Sequence, residues 1–274
     1  MASTTAIAQL RRRYAQEITR QLGPSAERIR DAFARIPREN FLPPPPWTVI
    51  SQGVATTTSD VAEIYANNLV AIDRARGINN GEPALHAAWL DAVDPRPGDR
   101  VVHVGAGLGY YTAILAALVG RSGRVVAFEV EEDLAAQAAR NLAPFETALV
   151  RSETALGHPF PEADVIYVNA GLLAPEADWL RALRPHGRMI FPWQPVEQWG
   201  PAVLVTRRGD AFSAQPIMTV GFIPCTGQGR AQVAEVTEAG IAATRSIWIK
   251  AHRPPDESAT LIGDGVWFSS DAVA

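Results

Sequence analysis

Between Pro83 and Pro192 the spacing of apolar residues switches repeatedly between two periods. PALHAAWLDAV (83–93) sets Leu85, Trp89 and Val93 one turn apart behind a proline, which predicts a helix with proline in its first turn. After DPRPGD the units alternate: strand 100–104, helix 111–120, strand 124–130, helix 132–142, and strands near 148–150 and 164–170. A helix around 174–183 and a strand at 188–192 close the series. Short apolar strands alternating with helices of this length predict a parallel sheet covered on both faces. AVLVTRR (202–208) and PIMTVGFIP (216–224) have no helix between them and predict an antiparallel hairpin at the sheet edge.

The flanks are less regular. Residues 6–20 and 25–36 read as helices, the second with Ile29, Ala32, Phe33 and Ile36 on one face. Four prolines at 43–46 end that pattern, and 47–80 reads as a long ordered lead-in with turn signals at TTTS and NNL. Residues 229–274 contain a β-like run, TRSIWIK, and an apolar ending, GVWFSS. Three segments are therefore expected: 1–82 as helices and lead-in, 83–228 as the core, and 229–274 as a C-terminal extension.

Composition narrows the function. The chain has 274 residues, 47% hydrophobic, enough for one sizeable core. No run approaches the roughly 20 apolar residues of a membrane span, and the N-terminus lacks a secretory apolar region, so a soluble, cytoplasmic protein is expected. Cys225 is the single cysteine, which excludes an intrachain disulfide and a cysteine-held metal; it reads as a small buried hydrophobe. Residues 1–40 carry eight arginines against four acids, but the net charge is −4, and no nucleic-acid partner is expected. The seven tryptophans are scattered, as core or interface residues would be.

The candidate chemistry begins in VVHVGAGLGYYTA (101–113). A glycine loop between strand and helix brings backbone N–H groups to an anionic group at the carboxyl end of a sheet. Gly105, Gly107 and Gly109 run G-x-G-x-G with Tyr at 110, so the third glycine of the dinucleotide fingerprint is displaced. The pattern suits a nucleoside bearing a carboxylate better than a pyrophosphate, and S-adenosylmethionine is such a molecule. Glu129, 24 residues after Gly105, stands where an acid would take the ribose hydroxyls. Glu153 is a candidate acceptor for an adenine amino group.

The ordered set AFARIPRENFLP, PALHA, RVVHVGAGLGYYTAILAALVG, DVIYVNAG, LRALRPHGRMIFP and VGFIPCTG resembles the protein-L-isoaspartate O-methyltransferase family from about residue 25 to 227. The resemblance implies an α/β fold of the class I methyltransferase, Rossmann-like kind, with a seven-stranded, mostly parallel sheet. It implies methylation of an isoaspartyl or aspartyl carboxylate in a peptide or protein, with S-adenosylmethionine as methyl donor and without metal or membrane partner. By position, the loop Gly105, Ala106, Gly107, Leu108 and Gly109, together with His86, His103 and Asn169, would line the cofactor. Glu129 and Val130 would take the ribose, and Ser152 and Glu153 the adenine. The family's Thr-Ile-Ser triplet falls on Asn79, Asn80 and Gly81, so the serine is absent, and His103 stands where an acid is usual. The Asn79 and Asn80 amides are candidate replacement donors to the acceptor. A biosynthetic relative that esterifies a peptide aspartate, and a non-catalytic module that keeps the fold, remain open. A nucleic-acid methyltransferase is disfavoured because Asn169-Ala170-Gly171-Leu172 lacks the N-P-P-aromatic pattern, and a nicotinamide enzyme is disfavoured by the displaced glycine.

Overall fold

The computed structural model describes residues 4–157, 159–195, 199–228 and 236–273; the start of the expected C-terminal extension, 229–235, lies outside the described residues. The chain forms two compact units that cut across the three segments expected from sequence. One runs to Gly98 and resumes over Ala106–Ser152, and the other takes Asp99–Gly105 and Glu153 onward. Among the described residues no helix is long and apolar enough to cross a membrane.

In the first unit, α1 (Thr4–Ile18) and α2 (Ala26–Arg35) lead into a single 3-10 turn, Arg38–Phe41. The long ordered lead-in expected at 47–80, for which no strands are predicted, is a four-stranded antiparallel sheet of order β2-β1-β3-β4. Its strands are β1 (Trp47–Ser51), β2 (Val54–Thr58), β3 (Leu69–Asp73) and β4 (Ile78–Asn79), with a one-turn helix α3 (Val61–Ile64) before β3. Gln52 and Gly53, at φ 50° and 80°, make the two-residue turn between β1 and β2. All but the last residue of β2 is exposed, so the strand needs no alternating apolar face, and its threonines, which read as a turn, are β-branched strand formers.

Helix α4 (Pro83–Val93) follows as predicted, and after β5 (Arg100–Val104), which belongs to the second unit, the chain returns as α5 (Tyr110–Val119). β6 (Arg124–Glu129), α6 (Glu132–Asn141) and β7 (Ala148–Ser152) complete the first unit, with β6 and β7 paired in parallel. Helix α5 is buried along nearly its whole length, which explains an apolar run without a polar face. Tyr14, Phe33, Phe41, Tyr65, Tyr110 and Phe145 pack as an edge-on and tilted aromatic cluster around its first turn.

The second unit holds β5, β8 (Ala163–Val168), α7 (Ala177–Ala182), β9 (Leu183–Pro192), β10 (Gly200–Arg208) and β11 (Ala211–Val220). After α8 (Glu238–Ala243) come β12 (Ser246–Ile249), β13 (Ala259–Ile262) and β14 (Val266–Ser269). The strand order is β13-β14-β12-β11-β10-β9-β8-β5, with β5, β8 and β9 parallel and the rest antiparallel. All seven expected strands, β5 to β11, are present. The hairpin β10–β11 is not the edge, however, because β12 pairs with β11 and brings β14 and β13 with it. β11 also ends earlier than the sequence suggests: the Gln194 side chain takes the Phe222 N–H at 2.9 Å and donates to its carbonyl, in place of a neighbouring strand.

The C-terminal strands share the core. Phe268 on β14 lies flat on Trp193, with ring centroids 4.3 Å apart and planes 6° from parallel, and both side chains are fully buried. The Trp193 indole donates to the Leu173 carbonyl, which fixes the ring. Phe268→Ala is expected to cost about 3–5 kcal/mol, as truncation of a buried aromatic does. A urea unfolding midpoint indistinguishable from wild type would show that residues 244–269 are an appendage rather than core.

Candidate functional site

The glycine loop leaves β5 at Gly105 and enters α5 at Gly109. Gly105, Gly107 and Gly109 take φ of 80°, 54° and 92°. At Gly109 the left-handed backbone coincides with crowding, because a Cβ there would meet Leu142 Cδ1 at 2.9 Å. The Glu129 carboxylate, 7% exposed, closes the loop: Oε2 accepts the Gly107 N–H at 2.7 Å and Oε1 the Glu131 N–H at 3.1 Å. Burial pushes the Glu129 pKa up, and the Glu131, Gly107 and Val130 amides offset part of that rise. Each oxygen keeps acceptor capacity beyond its backbone donor. Ser152 sits opposite Glu129 in the β6–β7 ladder and is exposed, as is Val130.

The β3–β4 hairpin, missed in the sequence, covers this loop. Ile72 lies 3.5 Å from the position a Cβ on Gly107 would take. Arg76 at the hairpin turn gathers Asp73, Glu131 and Asp133 at 2.6–2.9 Å, tying the turn to the residues just beyond Glu129. The same hairpin leads directly into Asn79, Asn80 and Gly81.

Two of those residues, Asn80 and Gly81, are held by Arg38, which is completely buried. Its Nε donates to Asn80 Oδ1 at 3.1 Å; Nη1 donates to the carbonyls of Ile64 and Ala66, and Nη2 to those of Asn68 and Gly81. The Arg38 N–H donates to the Tyr65 hydroxyl, which in turn bonds Glu39. Asn79 Oδ1 accepts the Gly81 N–H at 2.9 Å, an Asx-type turn. Both asparagine oxygens are thus engaged within the loop, and what each amide retains for a ligand is its NH2 group. His86, 1% exposed, stacks on Tyr111 at 3.6 Å between centroids and meets Trp89 edge-on.

In the second unit, His103 is fully buried on β5, and burial drives its pKa down to about 3, so the imidazole is neutral. Its Nε2 lies 2.9 Å from Asn169 Nδ2, and Asn169 Oδ1 is buried without a hydrogen-bond partner among the described residues. The Asn169 carbonyl also approaches to 3.2 Å of where a Gly105 Cβ would sit, so Gly105 and Asn169 are neighbours. Glu153 is exposed. Cys225 is half-buried rather than fully buried, and burial, with Glu176 nearby, pushes its thiol up to about 11. Among the described residues no group of three or more His, Cys, Asp or Glu is placed to hold a metal ion.

The structure therefore gathers Gly107, Gly109, Glu129 and Ser152 in the first unit, with Asn79, Asn80, Gly81 and His86 on the same unit. It gathers His103, Gly105 and Asn169 in the second. Sequence reasoning missed Arg38, Tyr111 and the β3–β4 hairpin. Arg38 gave no local signal, because it sits among Pro37, Glu39 and Asn40 as an exposed arginine would.

A family model described as Protein-L-isoaspartate(D-aspartate) O-methyltransferase (PCMT) matches residues 15–230. A protein-L-isoaspartate O-methyltransferase of Methylorubrum populi is 35% identical over 201 residues, covering 71% of this chain and 84% of the relative. Its counterpart from Methanopyrus kandleri is 33% identical over 175 residues, 61% of this chain and 69% of the relative. Among solved structures, a protein-L-isoaspartate O-methyltransferase superposes with a TM-score of 0.68 at 21% identity, covering 96% of this chain and 88% of that one. A putative protein-L-isoaspartate O-methyltransferase from Plasmodium falciparum, in complex with S-adenosyl-L-homocysteine, gives 0.61 at 16%, covering 80% and 99%. These structural likenesses bear out the class I methyltransferase fold.

Because the folded-state pKa of Glu129 is raised, the folded protein holds this proton more tightly than the unfolded chain does. Stability from this group is present at acidic pH and is lost as pH rises from the ordinary carboxylate range through the raised value. Glu129→Gln lacks that titration, so the stability difference between wild type and variant should move in favour of the variant between pH 4 and pH 7. Urea midpoints at the two pH values that differ by the same amount would contradict it.

Proposed function

The chain belongs to the protein-L-isoaspartate(D-aspartate) O-methyltransferase family, and from that membership we propose that its glycine loop and the Asn79–Gly81 loop are the two halves of its methyl-transfer site. The protein is an S-adenosyl-L-methionine-dependent methyltransferase acting on isoaspartyl carboxylates of proteins. The observation that carries the assignment of the cofactor side is the Glu129 carboxylate, buried at the strand end and pinned by the Gly107 and Glu131 amides. A buried acid with acceptor capacity to spare fits a ribose diol, and it repels a pyrophosphate. The unpartnered Asn169 oxygen fits a hydrogen-bond donor such as the amino group of a methionine moiety.

Glu129 would hold the ribose, Val130 would flank it, and Ser152 and Glu153 would take the adenine. Gly105, Ala106, Gly107, Leu108 and Gly109 with His103 and Asn169 would take the methionine end. His103 offers a neutral imidazole there in place of a carboxylate, so recognition of the amino group falls to neutral acceptors. When bound, S-adenosyl-L-methionine supplies a methyl group whose carbon–sulfur bond breaks as the acceptor oxygen bonds to carbon. A carboxylate acceptor is already ionised at neutral pH, so the protein needs no general base. What its own residues contribute is orientation and exclusion of water: Arg38 fixes the loop that faces the acceptor, and Asn79 and Asn80 present amide NH2 groups to its carboxylate. Such a site would act on proteins that carry isoaspartyl residues.

Incubation with methyl-labelled S-adenosylmethionine should place base-labile label on an isoaspartyl peptide and not on its aspartyl twin. Label on the aspartyl twin instead would mark a biosynthetic relative that esterifies a peptide aspartate, and label on neither would refute the acceptor assignment. Glu129→Gln should weaken S-adenosylhomocysteine binding by about tenfold or more, as loss of a charge-assisted hydrogen bond does. Calorimetry showing equal affinity would remove Glu129 from the cofactor site.

A further inference from the structure

Gly81 occupies the position where the family pattern has serine, and the structure shows why serine is absent. Its backbone sits at φ +70°, and a Cβ there would lie 2.4 Å from His86 Nε2 and 2.9 Å from His86 Cδ2. The imidazole cannot step aside, because it is stacked on Tyr111 and abuts Trp89, and all three side chains are buried. The space of a serine side chain is therefore filled by the imidazole of His86.

Tyr111 stands behind the same space. Its Cε2, the carbon next to the one that bears the hydroxyl, is 3.4 Å from the would-be Cβ of Gly81. The residue is 4% exposed, yet its hydroxyl has no hydrogen-bond partner among the described residues. Buried hydroxyls are almost always paired, and one left unpaired beside this loop is a donor available to a ligand. Burial also holds the phenol protonated, so it acts as a donor throughout the working pH range. The buried Arg38 charge, which donates to the Gly81 carbonyl and whose field reaches Tyr111, favours an anion at this place.

We propose that the Tyr111 hydroxyl, lying beside Gly81 and backed by the His86 ring, donates a hydrogen bond to the acceptor carboxylate and so replaces the missing serine as a specificity-determining group. The assignment rests on the carboxylate-methyltransferase reading above. His86 acts as a positioning residue that keeps the phenol against the loop.

Tyr111→Phe removes only the oxygen, and since that oxygen is unpaired the variant should fold with an unchanged or higher melting temperature. Wild type and variant are compared for S-adenosylhomocysteine affinity by calorimetry and for kcat and KM with an isoaspartyl peptide. The expected result is an unchanged affinity for S-adenosylhomocysteine and a KM raised between about tenfold and about a hundredfold, the range for a donor lost from a charged acceptor. A KM equal to wild type overturns the proposal. A wild-type protein that binds S-adenosylhomocysteine but methylates no isoaspartyl peptide overturns the acceptor reading instead, and the role of Tyr111 with it.

Discussion

The burial of one guanidinium organises the whole approach to the site. Arg38 has lost its water completely, and a charge in that state persists only if its donors find fixed acceptors. It finds them in the carbonyls of Ile64, Ala66, Asn68 and Gly81 and in the Asn80 amide, all from the stretch that runs from the end of α3 to the start of α4. The end of α3, the turn before β3 and the loop after β4 thus converge on a single side chain. The Arg38 head also lies over the Tyr110 ring at 5.9 Å, which links the loop to the first turn of the helix that the glycine loop feeds. Lysine, with three donors and no planar fork, does not supply this set.

Such an arrangement explains what sequence could and could not disclose. The strands and helices from 83 to 192, apart from the half-exposed β7, were legible because they bury apolar surface, and the period of that surface is the signal. Glu129 was legible because its interval from the glycines is set by the length of one strand-helix-strand unit. The four-stranded sheet at 47–79 was not legible: β2 is exposed, β4 has two residues, and the stabilising partner of the surrounding loops is an arginine brought in from residue 38. Arg38 itself carries no local pattern, since every one of its acceptors lies at least 26 residues away.

The candidate site shows the same division. His103 read as an anomaly in the position of an acid, and only its complete burial beside Asn169 shows that the substitution is a neutral pair rather than a lost charge. Gly81 read as a missing hydroxyl, whereas the structure shows an occupied volume. In both cases the meaning depends on a residue distant in sequence: Asn169 beside His103, and Tyr111, on which the His86 ring that fills the space at Gly81 is stacked. Chemistry that depends on orientation rather than on proton transfer tolerates such exchanges, because the acceptor arrives already ionised.

The strands added beyond β11 change how the molecule meets its own kind. Without them the ten-residue β11 would end the sheet as a long row of unsatisfied backbone groups, a template on which another chain could add a strand. With them the outermost strand is β13, four residues long, whose pairing with β14 slips between Ala259 and Leu261. β12 covers β11 only at Phe212 and Ser213, so the short, irregular border guards the start of that edge against intermolecular pairing and leaves the stretch around Pro216, which cannot donate to a ladder, to guard itself.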